Sequence, residues 1–172
     1  GVNKILENFM IDKIISHYKI IEKLGKGGMG VVYKAEDTKL KRTVALKFLP
    51  SSFNLNEEAK QRFIHEAQAA SGLDHPNICT IYEIDETEES ELFISMTHYE
   101  GETLKSKIDK GPLDTVKVIK IILQIADGLN KTHSKGIIHR DIKPANILIS
   151  NEGIVKILDF GLASSSSRNE FT

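Results

Sequence analysis

The spacing of apolar residues passes from mostly strand-like to mostly helical near Gly101, and that change limits the fold more than any single residue does. Before it, apolar residues come in short runs: Tyr18 to Leu24, Val31 to Glu36, Thr43 to Leu49, Ile78 to Ile84 and Leu92 to Met96. Runs of this length and β-rich composition, bounded by turn-forming residues, predict five strands. One helical stretch interrupts them. It begins near Asn54, which can cap free amides, with Glu57 and Glu58 set against the positive end of the dipole. It runs through Phe63, Ala67 and Ala70, and Gly72 and His75-Pro76 stop it. After Gly101 the period becomes helical. Val118, Ile121, Ile122, Ile125 and Leu129 recur at three and four residues behind a cap at Asp114, and the helix is expected to end before Gly136. Ile147 to Ser150 and Val155 to Leu158 then flank Asn151-Glu152-Gly153, a hairpin turn. The expected fold is α+β: a five-stranded antiparallel lobe with one helix, then the beginning of a helical lobe.

Composition narrows the function classes. With 23 basic and 24 acidic residues the formal net charge is −1, which gives no footprint for nucleic acid or an anionic membrane. The single cysteine, Cys79, excludes a disulfide framework and Cys-x-x-Cys metal spacing, and fits a reducing, cytoplasmic setting. The longest apolar stretch, Val116 to Ile125, is broken by Lys117, Lys120 and Gln124 and is far short of the ~20 residues that cross a bilayer. Gly1 in place of methionine, and an end at Thr172 without a terminating element, read as those of a fragment.

Three segments carry chemistry. Gly25-Lys26-Gly27-Gly28-Met29-Gly30-Val31-Val32 satisfies Gly-x-Gly-x-x-Gly-x-Val. Taken alone it serves dinucleotide-binding folds and plain hairpins as well. Here, however, the glycines lead into the strand-like Val31-Val32-Tyr33-Lys34-Ala35 instead of a helix, which favours a flap of bare backbone over phosphates. In Val44-Ala45-Leu46-Lys47, alternation puts Ala45 and Lys47 on one side of a strand. A lysine buried in so apolar a run needs an anionic partner, whereas one at an exposed position needs none. Glu66 shares the helix face of Phe63 and Ala70 and so points inward. The third segment is His139-Arg140-Asp141-Ile142-Lys143-Pro144-Ala145-Asn146, followed by Ile157-Leu158-Asp159-Phe160-Gly161.

These two motifs, in this order and spacing, resemble the catalytic loop and the Asp-Phe-Gly of protein kinases. The resemblance covers Tyr18 to Ala163. Lys143, two residues beyond Asp141, is what serine/threonine kinases carry, and the wording of the glycine-rich and catalytic loops looks most like bacterial members of the eukaryotic-type family. It implies an extension over residues 1–17, an ATP-binding lobe over 18–97 and a partial helical lobe over 98–172.

The resemblance also implies roles. Asp141 would accept or orient the proton of a protein serine or threonine hydroxyl, and Lys143 would steady the γ-phosphate of ATP. Asn146 and Asp159 would hold Mg2+ through hard oxygen ligands. Lys47, held by Glu66, would grip the α- and β-phosphates beneath the loop Gly25, Lys26, Gly27, Gly28, Met29, Gly30 and Val31. Leu24, Val32, Ala45 and Leu148 would sandwich adenine, with Met96 behind and Thr97-His98-Tyr99 as the hinge. After Ala163 the expected Ala-Pro-Glu and peptide-docking helices do not follow. Part of the Val118 to Leu129 face is therefore expected to lack cover and to promote self-association. A second reading stays open, a catalytically inactive ATP-binding or regulatory fragment. Ser164 to Ser167 read either as a polar tail or as the start of an activation loop whose phosphate Arg140 would meet.

Overall fold

A computed structural model describes residues 10–27, 30–50 and 57–159. The start of the first helix near Asn54, Gly28 and Met29, Phe160 and Gly161, and the run Ser164 to Ser167 lie outside the described residues. The chain divides into two compact units, one of residues 1–61 and 81–98, the other of 62–80 and 99–172.

The first unit is built on one antiparallel sheet. Its strands are β1 (Ile14–Ile15), β2 (Tyr18–Gly27), β3 (Gly30–Asp37), β4 (Arg42–Phe48), β5 (Ile81–Glu86) and β6 (Leu92–Thr97), in the order β1-β2-β3-β4-β6-β5. The five expected strands are present, and the sixth is the two-residue β1, too short to leave a periodic signature. Asp37 closes the β3–β4 turn by accepting from the amides of Lys39 (3.0 Å) and Leu40 (2.9 Å), the side-chain mimicry of a backbone turn that favours aspartate there. Tyr18, Ile20, Tyr33, Ala35, Val44, Leu46, Phe48 and Phe93 form the buried cluster on one face. Edge-on ring packing of Tyr18 on Phe93 and of Tyr33 on Phe48 fixes its geometry.

In the second unit, β7 (Gly101–Thr103), β8 (Ile147–Ser150) and β9 (Val155–Ile157) form a small antiparallel sheet. The β8–β9 turn has Gly153 at φ 81° with its amide on the Ser150 carbonyl at 2.9 Å, as the Asn-Glu-Gly sequence predicts. Helix α1 (Glu57–Ser71) starts in the first unit and passes into the second. The short α2 (Leu104–Asp109) is capped by Thr103, and α3 (Thr115–Ser134) by Asp114, whose carboxylate accepts from the Lys117 amide at 3.1 Å.

One sequence expectation shifts. Ile78 and Cys79 do not belong to β5: Ile78 bridges Ile157 in parallel, and the Cys79 amide donates to the Ile157 carbonyl at 3.0 Å. The apolar run continues through Ile78 to Ile84, but its first two residues lie along β9, where the Cys79 amide finds its acceptor while the Ile78 amide turns back to the His75 carbonyl at 3.1 Å. On α3, Val118, Ile121, Ile125 and Leu129 are only half-buried, and Ile122 is 57% exposed. Val116, Ile119 and Leu123 are also exposed. Among the described residues no helix is long and apolar enough to cross a membrane.

Candidate active site

In the first unit, strand register brings several of the residues expected to meet a nucleotide onto one face. Val32 pairs with Lys47 and Lys47 with Ile94, while Ala45 pairs with Met96. Residues opposite one another share a face, as do residues two apart, so Val32, Ala45, Lys47 and Met96 lie on one side of the sheet, opposite the aromatic cluster. Lys47 is only 3% exposed and Ala45 and Met96 are buried; Leu24, on β2, is 46% exposed. Lys47 is therefore a buried lysine, not an exposed strand cation. Thr97 donates its hydroxyl to the Tyr82 hydroxyl at 2.8 Å. The division between units falls between His98 and Tyr99, inside the expected hinge, and the Lys156 ammonium sits 4.6 Å over the Tyr99 ring.

The glycines differ in what they tolerate. At Gly25 and Gly27 an added Cβ would meet nothing within 4 Å. Gly25→Ala and Gly27→Ala are therefore expected to leave the melting temperature unchanged, so that any loss of ATP affinity measured by calorimetry reports backbone approach to phosphate and not damage to the fold.

In the second unit, the loop 139–146 is organised by its own side chains. The Leu158 carbonyl can only accept, so the Nε2 of His139, 2.7 Å away, carries the proton, and Nδ1 accepts the Asp141 amide at 3.2 Å. Burial pushes this imidazole below its ordinary value, which keeps it in that neutral form. Its position in the motif was the only sequence signal for this task. The Asp141 carboxylate accepts from Lys143 Nζ at 2.8 Å and from Asn146 Nδ2 at 2.9 Å. Burial alone would raise its pKa, but the Lys143 and Asn146 hydrogen bonds and the lysine charge outweigh burial and hold the carboxyl below its usual range.

Asn146 ties this loop to the second motif. Its Nδ2 donates to both the carbonyl and carboxylate of Asp141, and its own carbonyl accepts the Leu158 amide at 2.9 Å. That orientation commits the amide nitrogen to Asp141 and leaves Oδ1 as the acceptor of the group. Asp159 follows Leu158 directly with left-handed backbone, φ 58°, an uncommon conformation for a non-glycine residue. An amide oxygen and a carboxylate are hard donors that suit Mg2+, so the residues present fit that ion. Arg140, also left-handed at φ 63°, donates to Glu66 Oε1 at 2.8 Å. The sequence assigned Glu66 to Lys47; its carboxylate is engaged here by Arg140, a pairing between residues 74 apart that no local pattern announces. Leu148 is half-buried on β8, paired with Thr103 and Lys156.

Cys79 lies at the edge of this region. Burial first, and then the negative charge of Asp159, push its thiol up to about 12. Because the thiolate is the reactive form, alkylation of Cys79 at pH 8 is expected only on unfolding; labelling of the native chain at the rate of a free thiol would contradict this placement.

Comparison with known proteins gives a consistent picture. The family model described as "Protein kinase domain" matches residues 18–172. The serine/threonine-protein kinase PrkC of Bacillus subtilis (strain 168) is 44% identical over 161 residues, 93% of this chain and 25% of the relative. The probable serine/threonine-protein kinase PknB of Lactococcus lactis is 44% identical over 165 residues, 94% of this chain and 26% of the relative. The chain thus spans about a quarter of the length of these curated relatives. Among solved structures, the PknI kinase domain of Mycobacterium tuberculosis superposes with a TM-score of 0.80 at 29% identity, over 89% of this chain and 61% of that domain.

Proposed function

Since the chain belongs to the protein kinase family, we propose that the protein carrying it transfers the γ-phosphate of ATP to serine and threonine hydroxyls of other proteins in the cytoplasm, with Mg2+ as cofactor. The observation that carries this reading is the Asp141–Lys143–Asn146 cluster, joined through the Asn146 carbonyl to the residue before Asp159. Phosphoryl transfer asks for positioning and charge neutralisation, and the cluster offers a fixed carboxylate, a cation beside it and two hard oxygen donors.

On this reading Asp141 orients the attacking hydroxyl, and its depressed pKa keeps it ionised at neutral pH. Lys143 contacts the transferring phosphate. Asn146 and Asp159 hold Mg2+, which when bound neutralises phosphate charge. Val32, Ala45 and Met96, with Leu24, Leu148 and the hinge Thr97-His98-Tyr99, take the adenine; Lys47 and the glycine-rich loop take the phosphates. Glu66 is the proposed partner of Lys47, because an aligned lysine–glutamate pair is part of the active arrangement.

The Glu66–Arg140 pair also favours the second reading, a nucleotide-binding module that does not transfer phosphate. Incubation of the full-length protein with Mg2+ and ATP, followed by phosphoamino-acid analysis of a generic protein substrate, separates the two. Phosphoserine or phosphothreonine supports the kinase; nucleotide-dependent thermal stabilisation without product supports the module. The exposed row Val116, Ile119, Ile122 and Leu123 further predicts that the 172-residue chain by itself self-associates. Sedimentation velocity is expected to show concentration-dependent oligomers that Ile119→Glu disperses, and a monodisperse wild-type monomer would contradict this.

A further inference from the structure

Gln124 is a polar residue in the middle of the apolar stretch of α3, and the structure shows what it serves. Strand β9 has β8 along one side. On its other side four backbone groups face away from β8, and every one is satisfied. The Ile157 amide donates to the Asn77 carbonyl at 2.8 Å and the Ile157 carbonyl accepts from the Cys79 amide at 3.0 Å. One turn of the pleat earlier the 77–79 backbone no longer reaches, and side chains take over. The Val155 amide donates to Gln124 Oε1 at 2.9 Å, and the Val155 carbonyl accepts from Asn77 Nδ2 at 3.0 Å. Gln124 Oε1 also accepts from Asn77 Nδ2 at 3.0 Å, and its Nε2 donates to the Gly153 carbonyl at 3.2 Å. Three hydrogen bonds thus join α3, the segment after α1 and the β8–β9 turn at one side chain.

Resting on the kinase reading above, we infer that Gln124 is a positioning residue for the magnesium ligand Asp159, acting through β9. Asp159 stands two residues beyond Ile157 in a left-handed conformation that only surrounding contacts can hold. The strand that delivers it has no wide sheet to fix it: β9 is three residues long and its outer edge is closed by Gln124 and residues 77–79. Freeing the Val155 amide lets the strand shift, and small shifts degrade a geometry-dependent oxygen site disproportionately. Residues that orient ligands from behind contribute about 10- to 100-fold in metal affinity.

The test uses the protein carrying this domain, with Gln124→Met, of similar volume but without the amide, and Gln124→Glu, which keeps an acceptor for Val155. ATP affinity is measured by calorimetry with and without Mg2+, and amide exchange by mass spectrometry over the peptide containing residues 153–159. Gln124→Met is expected to lower the enhancement of ATP binding by Mg2+ about 10-fold, to leave magnesium-free affinity unchanged, and to speed exchange of this peptide; Gln124→Glu restores part of both. Unchanged enhancement and exchange in Gln124→Met would overturn the inference. So would equal loss of affinity with and without Mg2+, the mark of general damage. If Gln124→Met does not fold, Gln124→Leu, which also lacks an acceptor for Val155, replaces it and is judged by the same outcomes. Absence of magnesium-dependent ATP binding in the wild type would instead defeat the kinase reading, and amide exchange would then decide whether Gln124 fixes the strand.

Discussion

Asp141→Asn is expected to lower phosphoryl transfer by about 10²–10⁴-fold while leaving ATP affinity and the melting temperature nearly unchanged. The asparagine keeps the size of the side chain and an oxygen that can accept from Lys143 and Asn146, so the loop 139–146 retains its hydrogen bonds in weakened form. What disappears is the negative charge that, in the proposed role, orients and receives the proton of the hydroxyl. The pH behaviour follows from the depressed pKa of Asp141, which arises because the Lys143 and Asn146 bonds outweigh burial. A lowered carboxyl pKa contributes stability that is present above the ordinary carboxylate range and is lost as pH falls through the lowered value. The neutral limb of a pH–rate profile should therefore owe nothing to Asp141. Single-turnover transfer with wild type and variant at matched Mg2+ and ATP checks the prediction; a loss of less than about 10-fold would remove Asp141 from the proposed role.

Gly30→Ala carries the largest expected effect on the fold. Gly30 begins β3 at φ 113°, and an ideal Cβ there would lie 1.8 Å from the carbonyl oxygen of Phe48 on the neighbouring β4. No rotamer relieves that collision, because the opposing atom is backbone held in the ladder that pairs Val31 with Phe48. The conformation alone costs a non-glycine residue about 1–3 kcal/mol. Displacing β4 adds to it, for a total of about 2–4 kcal/mol. At about 2–4 °C per kcal/mol for a chain of this size, the melting temperature should fall by several degrees or more. Calorimetric melts of Gly30→Ala beside Gly27→Ala make the comparison direct; equal melting temperatures would show that the β3–β4 approach is looser than the structure has it.

Local chemistry was legible in the sequence wherever a residue acts on its own neighbours. Asp114 announces the start of α3, Asn151-Glu152-Gly153 announces the β8–β9 turn, and alternation around Lys47 announces the face it shares with Ala45. The catalytic-loop wording marked the residues that the structure gathers around Asp141. Pairings that join distant segments were not legible. Ile78 and Cys79 continue an apolar run that looks like one strand, yet Ile78 lies opposite Ile157 and the Cys79 amide donates to it, nearly eighty residues on by sequence number. Helix periodicity put Glu66 on an inward face but cannot name the cation it meets, which is Arg140 here. The same periodicity gave α3 one apolar face, part of it expected to lack cover, but that Ile122 is among the uncovered residues depends on what else packs there, a tertiary fact absent from any local pattern. Gln124 registered only as an interruption because its partners, the Asn77 side chain and the Gly153 and Val155 backbone, lie in distant segments.

The central claim is that the Asp141, Asn146 and Asp159 constellation supports magnesium-dependent phosphorylation of protein hydroxyls. Mass-spectrometric mapping of phosphosites on a protein substrate, after incubation of the full-length protein with ATP in Mg2+ or in chelator, tests it most directly. The account predicts phosphoserine and phosphothreonine with Mg2+ alone, and their near-complete loss in Asp141→Asn. Sites that form equally in chelator, or equally with the variant, or a folded ATP-binding wild type that modifies nothing, would contradict it.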